Sequence, residues 1–232
     1  GCIKMTNFTP IVNWENVFKQ ETSFKNAKPF KFGFIEGVFQ PDFYNKLYDT
    51  YPSLDRFKDG SDWSKSQLSL RWGNSDTTPM HIVDEGDDLT LSEEWNTLKR
   101  YAESEEFLGN IRKFSGVPVN KVKHLIFIAY RSGGFQLPHI HNVGPSTLVL
   151  MFYFSKGWKQ GDPGGTFISA DVNESAIIFE PYNLDNSMAL FHDGPNAAHG
   201  TRYVSKDVER RAFQITLEEW SPEKGWSGGN PP

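Results

Sequence analysis

The hydrophobic pattern changes character about halfway along the chain. From residue 121 onward, short apolar runs alternate with turn residues at close spacing, as expected of a β-sandwich or barrel. Eight runs stand out: residues 124–131, 136–141, 146–155, 166–170, 176–180, 186–192, 198–204 and 209–218. They are separated by Gly133-Gly134, residues 142–145, residues 161–165, residues 181–185 and Asp193-Gly194-Pro195-Asn196. In the last run Phe213, Ile215 and Leu217 alternate with Ala212, Gln214 and Thr216, so one face is apolar and the other is small or polar.

The first half is mixed. Residues 30–36 alternate as a strand, and residues 40–51 read as a helix with Pro41 in its first turn. Residues 53–78 are polar and irregular, and within them the aromatic and charged stretch 57–72 reads as a surface loop or a lid. Residues 91–115 read as two helices. The first has a capped start at Ser92-Glu93-Glu94-Trp95 and a stripe through Leu98, Tyr101 and Ala102; a second stripe runs over residues 105–114. The Gly/Pro-rich end, residues 225–232, reads as a frayed tail. The expected fold is mainly β with N-terminal helices, a double-stranded β-helix (jelly roll) of eight strands. It is expected as one domain: residues 1–120 supporting the sheet, 121–220 forming the core and 221–232 the tail.

Composition narrows this reading. A chain of 232 residues can bury a sizeable core without disulfides, and an aromatic content of 15%, with 19 Phe and 7 Trp, suits pleated surfaces. A net charge of −5 with no basic face argues against a nucleic-acid partner. The lone Cys2 fits a reducing compartment, so a cytoplasmic location is expected. No apolar run approaches a membrane span, and residues 1–10 lack the basic-then-apolar order of a signal peptide. No feature of the pattern specifies an oligomeric state.

The candidate chemistry lies in the second half. In a strand, His139 and His141 project from one face and can converge on one ion; the alternative is two surface histidines beside a turn. His199 opens the seventh run, and in a jelly roll the second and seventh strands can lie side by side, which would bring it to that pair. His81, His124 and His192 lack this convergence, and His124 and His192 read as structural. Arg210 begins the last strand on its small-residue face, where a guanidinium fork can take a carboxylate; the alternative is a solvated basic pair with Arg211.

These residues carry a family resemblance. Tyr130 followed by His139-Ile140-His141-Asn142 resembles the Tyr and H-x-D-N metal motif of prolyl-hydroxylase-like 2-oxoglutarate/Fe(II) oxygenases. The run from Phe152 to Trp158 followed by Gly164-Gly165 resembles that family's aromatic strand, its turn and its Gly-Gly pair. Ala198-His199-Gly200 resembles the distal histidine, and Arg210-Arg211-Ala212 the start of the last strand. The resemblance implies Fe(II) held by His139, His141 and His199, and 2-oxoglutarate anchored by Arg210 and Tyr153 with Tyr130 near its metal-proximal end. Arg211 is the reserve anchor should the register differ by one. It further implies hydroxylation of a small-molecule or peptide substrate with release of succinate and carbon dioxide, with ascorbate as an optional accessory.

One position departs from the family pattern. The common facial triad is two histidines and a carboxylate, and here His141 takes the carboxylate position. Asp193 is the nearest rival carboxylate in the second half, but it sits in the turn before the seventh strand, with no register that forces it inward. Three neutral imidazoles also make an acceptable catalytic zinc shell. A cupin-like jelly roll that binds zinc or another metal without oxygen chemistry is therefore the rival reading, and a binding jelly roll with a vestigial site is a third. The Arg210/Tyr153 pair discriminates, because a plain metal-binding cupin has no need of a carboxylate clamp.

Overall fold

The structure, a computed structural model, describes residues 10–74 and 86–229; Cys2 and His81 lie outside the described residues. The chain opens with two short helices, α1 (Trp14–Phe18) and α2 (Glu21–Asn26), then strand β1 (Phe32–Glu36) and helix α3 (Pro41–Asp49). Three short strands follow, β2 (Lys58–Asp59), β3 (Lys65–Ser66) and β4 (Leu68–Arg71), and then helices α4 (Glu93–Ala102) and α5 (Glu105–Ser115). The second half runs β5 (Lys121–Tyr130), β6 (Phe135–His139), β7 (Thr147–Phe154), β8 (Thr166–Ser169), β9 (Ile177–Phe179), β10 (Asp185–His192), β11 (His199–Thr201) and β12 (Arg210–Glu218). A last hairpin pairs β13 (Trp220–Ser221) with β14 (Gly225–Trp226).

The eight expected runs are β5 to β12, and they divide four and four between two sheets. The larger sheet has the order β1-β10-β7-β12-β5-β4-β2 and the smaller β3-β6-β11-β8-β9. This is the double-stranded β-helix, extended at its edges by strands from the first half. Every residue of β7 is buried, because helices cover one face of the larger sheet and the barrel interior covers the other.

Local chemistry explains the supporting helices. The Ser92 side chain caps α4 by accepting from the Trp95 backbone N–H, and Ser104 caps α5 in the same way from Phe107. Acidic residues fill both first turns and basic residues both last turns, matching the helix dipole. The buried face of α4 presents Trp95 to the sheet, its ring 4.8 Å from Phe127, 5.1 Å from Phe154 and 5.1 Å from Phe213. Phe213, Ile215 and Leu217 of β12 pack on this helix side, while Ala212 faces the barrel interior with Ile128, Tyr130, Met151 and Tyr153.

Two sequence expectations need correction. Residues 57–72 are not a loose lid: β2 and β4 join the larger sheet, β3 joins the smaller one, and Leu70 and Trp72 are buried. The tail is not frayed over its described part. Gly225–Trp226 forms a strand, and the Gly228 backbone N–H donates to Glu218 Oε2. Finally, α1 and α2 have no counterpart in the sequence reading, since each buries a single residue, Val17 or Phe24, too little for a helical stripe. Among the described residues no helix is long and apolar enough to cross a membrane.

Candidate metal centre and anion pocket

Strands β6 and β11 are neighbours, with His139 and His199 as register partners. Glycine follows His199 for a steric reason: a Cβ at Gly200 would sit 2.7 Å from the Gln136 carbonyl oxygen and 2.8 Å from Phe167 Cζ. Only a residue without a side chain lets β11 run this close to β6 and to Phe167 of β8. His141 lies two residues beyond the end of β6, so strand alternation alone does not aim it as the sequence reading supposed. Its ring is instead fixed by Asp193, whose Oδ2 lies 2.8 Å from His141 Nδ1. This corrects the expectation for Asp193, which is buried and turned inward.

The three imidazoles form one cluster. One ring nitrogen from each lies within 4.8 Å of the others, and ring centroids are 4.3 Å apart for His139–His199 and 4.9 Å for each of the other two pairs. Small side-chain rotations bring three such nitrogens onto one ion at bond lengths of about 2 Å. Their tautomers agree with that use. His139 Nδ1 lies 3.0 Å from the Leu137 carbonyl, and His199 Nδ1 lies 2.8 Å from the Ala197 carbonyl. A carbonyl only accepts, so both Nδ1 atoms carry hydrogen and both Nε2 atoms present lone pairs. Burial pushes His199 well below the usual imidazole range, and the neighbouring His139 and His141 push it further; burial is also the main cause that lowers His139. Both rings are thereby held neutral, the form that binds a metal. Neither His124 of β5 nor His192 of β10 belongs to the cluster.

A second constellation lies in the barrel interior. Arg210 and Tyr130 are register partners across β12 and β5, and Tyr153 sits opposite Ala212 on β7. Arg210 is fully buried, its guanidinium 4.7 Å from the Tyr130 ring centroid and 5.2 Å from that of Tyr153. Its Nε donates to the Gly164 carbonyl at 2.7 Å and its Nη2 to Thr166 Oγ1 at 3.1 Å, while Nη1 is buried with no partner among the described residues. Gly164 adopts φ +140°, and Trp158 closes the turn by donating Nε1–H to the Pro163 carbonyl at 3.1 Å. The Gly-Gly pair therefore serves to aim a carbonyl at the guanidinium.

No carboxylate forms an ion pair with Arg210 among the described residues. A buried cation with an orphaned N–H is costly by several kcal/mol, on the order of 3–5, unless an anion joins it. Both tyrosine hydroxyls are placed to help such an anion. Tyr153 accepts from the Thr166 backbone N–H at 2.9 Å and Tyr130 from Gln67 Nε2 at 2.6 Å, which leaves each O–H hydrogen to donate elsewhere. Burial raises Tyr153 above the usual phenol range, so it stays protonated. Arg211 points the other way. Its Nε donates to Glu209 at 2.9 Å and its guanidinium lies over Tyr48 and Tyr51 on the helix side.

A cleft of about 810 Å³ opens beside His139 and His141, bordered by Trp63, Lys65, Leu137, Val172 and Glu174. Trp63 is 86% exposed at the tip of a tight turn in which Asp62 Oδ1 accepts from the Ser64 backbone N–H at 2.7 Å. The sequence reading did not single out Gln67, Thr166 or the inward turn of Asp193. Each reaches the site through tertiary contact from a turn or strand end, where no periodicity marks it.

No family model matches the chain, and no curated protein matches its sequence. Solved structures do match in shape. A prolyl-4-hydroxylase of Pseudomonas putida superposes with a TM-score of 0.60 at 10% identity, covering 85% of this chain and 98% of that one. A prolyl hydroxylase of Trichoplax adhaerens, in complex with a peptide fragment of a hypoxia-inducible factor, gives 0.61 at 14% identity, covering 88% of each chain. HygX of Streptomyces hygroscopicus, with nickel, 2-oxoglutarate and hygromycin B bound, gives 0.56 at 11% identity, covering 93% of this chain and 96% of that one. The chain thus shares the double-stranded β-helix fold of these proteins.

Proposed function

We propose that this protein is a 2-oxoglutarate- and Fe(II)-dependent oxygenase. It would consume one dioxygen per turnover, one oxygen atom entering the substrate C–H bond as a hydroxyl and the other entering succinate as 2-oxoglutarate loses carbon dioxide. The observation that carries this reading is the pairing of a neutral three-imidazole cluster with a buried, incompletely partnered arginine. A metal alone explains the histidines. An anionic ligand would meet Arg210 Nη1, which is buried without an acceptor among the described residues, between two tyrosine hydroxyls that each accept a hydrogen bond and keep a hydrogen to donate. The fold likeness to oxygenases, one of them described with 2-oxoglutarate and nickel bound, agrees with this ligand.

The residues divide the work. His139, His141 and His199 would hold the iron through the nitrogens that their second-atom hydrogen bonds leave free. Arg210, with Tyr153 and Tyr130 donating, would take the distal carboxylate of 2-oxoglutarate and fix its orientation. When bound, the iron supplies the redox chemistry that couples decarboxylation of 2-oxoglutarate to oxidation of the substrate by dioxygen. Three neutral imidazoles bring no charge of their own into direct contact with the ion, where the dianionic co-substrate would supply it. The substrate, a small molecule or a peptide, would enter by the cleft at Trp63 and Lys65. Three imidazoles also suit a catalytic zinc, but zinc hydrolysis has no use for the Arg210 pocket. The test is succinate formation from 2-oxoglutarate by protein loaded with Fe(II) in air. Turnover should require iron and disappear in His199→Ala; zinc-dependent hydrolysis without 2-oxoglutarate consumption would displace this reading.

A further inference from the structure

We infer that Asp193 is a positioning residue that supplies, through His141, the negative charge that a carboxylate ligand would place directly on the metal. The inference rests on the reading of His139, His141 and His199 as ligands of one ion. Three observations carry it. Asp193 Oδ2 lies 2.8 Å from His141 Nδ1, on the far side of the ring from the ligand nitrogen. Asp193 is buried, 6% exposed, and no lysine or arginine pairs with it among the described residues. Its placement is fixed twice more: Oδ1 accepts from the Gly194 backbone N–H at 2.9 Å, and its own N–H donates to the Thr147 carbonyl at 3.0 Å.

A buried carboxylate without a cation is unfavourable unless positive charge develops nearby. An ion bound to His141 Nε2 provides it, one imidazole away. The carboxylate in turn polarises the ring, strengthens its donor nitrogen and locks the Nδ1–H tautomer. The departure at His141 is then a relocation of charge rather than its loss, since the histidine and Asp193 together carry what one aspartate would carry alone.

The proposal is tested by a double-mutant cycle on metal affinity, read by Co(II) titration of the apo-protein under nitrogen with no co-substrate present. Asp193→Asn should weaken Co(II) binding about 10–100-fold, the range for loss of a carboxylate behind a histidine ligand. Asp193→Glu, which keeps the charge, should lose less than Asp193→Asn. In a His141→Asp background, Asp193→Asn should cost nothing or should improve binding, because the ligand now bears the charge itself and a second carboxylate repels it. A role for Asp193 in the fold alone, independent of His141, predicts equal losses in both backgrounds, and that result would overturn the inference. So would unchanged affinity in Asp193→Asn, or a loss in Asp193→Glu as large as in Asp193→Asn. Because no 2-oxoglutarate is involved, the cycle can succeed even if the oxygenase reading fails.

Discussion

Gln67 donates its side-chain N–H to the Tyr130 hydroxyl at 2.6 Å. This bond ties the crossing segment between β3 in the smaller sheet and β4 in the larger one to the ring that lies beneath Arg210. It also dictates what Tyr130 can do, because a hydroxyl that accepts from Gln67 has its own hydrogen left for a ligand. Gln67→Leu, similar in size and unable to donate, should leave the fold intact and weaken 2-oxoglutarate binding. One hydrogen bond of about 1 kcal/mol corresponds to roughly a five-fold rise in Kd. Calorimetric titration of the metal-loaded variant checks this, and an unchanged Kd would show that Tyr130 does not touch the co-substrate.

Gly200 sets the distance between the two strands that carry His139 and His199. Gly200→Ala forces a methyl group into the Gln136 carbonyl and the Phe167 ring. Backbone on one side and a fully buried ring on the other leave little room to yield, so β11 must shift. The expected outcome is a loss of about 1–3 kcal/mol of stability from overpacking, together with weaker metal binding as His199 moves away from its partners. Denaturant unfolding and metal titration of the same variant measure the two effects separately.

Trp95 anchors α4 to the larger sheet among Tyr51, Phe127, Phe154 and Phe213. Trp95→Ala should cost about 3–5 kcal/mol in urea unfolding. Its indole N–H, however, is buried without a partner among the described residues. Trp95→Phe keeps most of the ring contacts and removes that unsatisfied donor, so the cavity cost and the regained desolvation oppose each other. The phenylalanine variant should lose less than half of what the alanine variant loses.

The sequence made some of this legible and hid the rest for physical reasons. The eight core strands announced themselves because each is a short apolar run between turn residues, and β12 showed its two faces by alternation. The convergence of His199 on His139 was readable only through the jelly-roll topology, since nothing local links β11 to β6. The choice of Arg210 over Arg211 rested on counting faces along β12, and the structure places Arg210 inside and Arg211 over Tyr48 and Tyr51. The inward direction of Asp193 was hidden because a turn has no period: it comes from a hydrogen bond to His141 and another to the Thr147 carbonyl, both made across the fold. Residues 57–72 looked loop-like because β2, β3 and β4 are two to four residues long, too short to establish alternation.

Arg210 is proposed to anchor a carboxylate of 2-oxoglutarate in a protein whose three histidines would hold the metal. The most direct measurement is anaerobic titration of 2-oxoglutarate into Fe(II)-loaded wild type, Arg210→Ala and Arg211→Ala. Saturable binding to the wild type is expected, with nearly the same affinity for Arg211→Ala, whose guanidinium faces the helices. Arg210→Ala should lose about 2–5 kcal/mol, or roughly 30-fold to several thousand-fold in Kd. Iron-loaded Arg210→Ala that still binds 2-oxoglutarate as the wild type does would rule out Arg210 as the anchor.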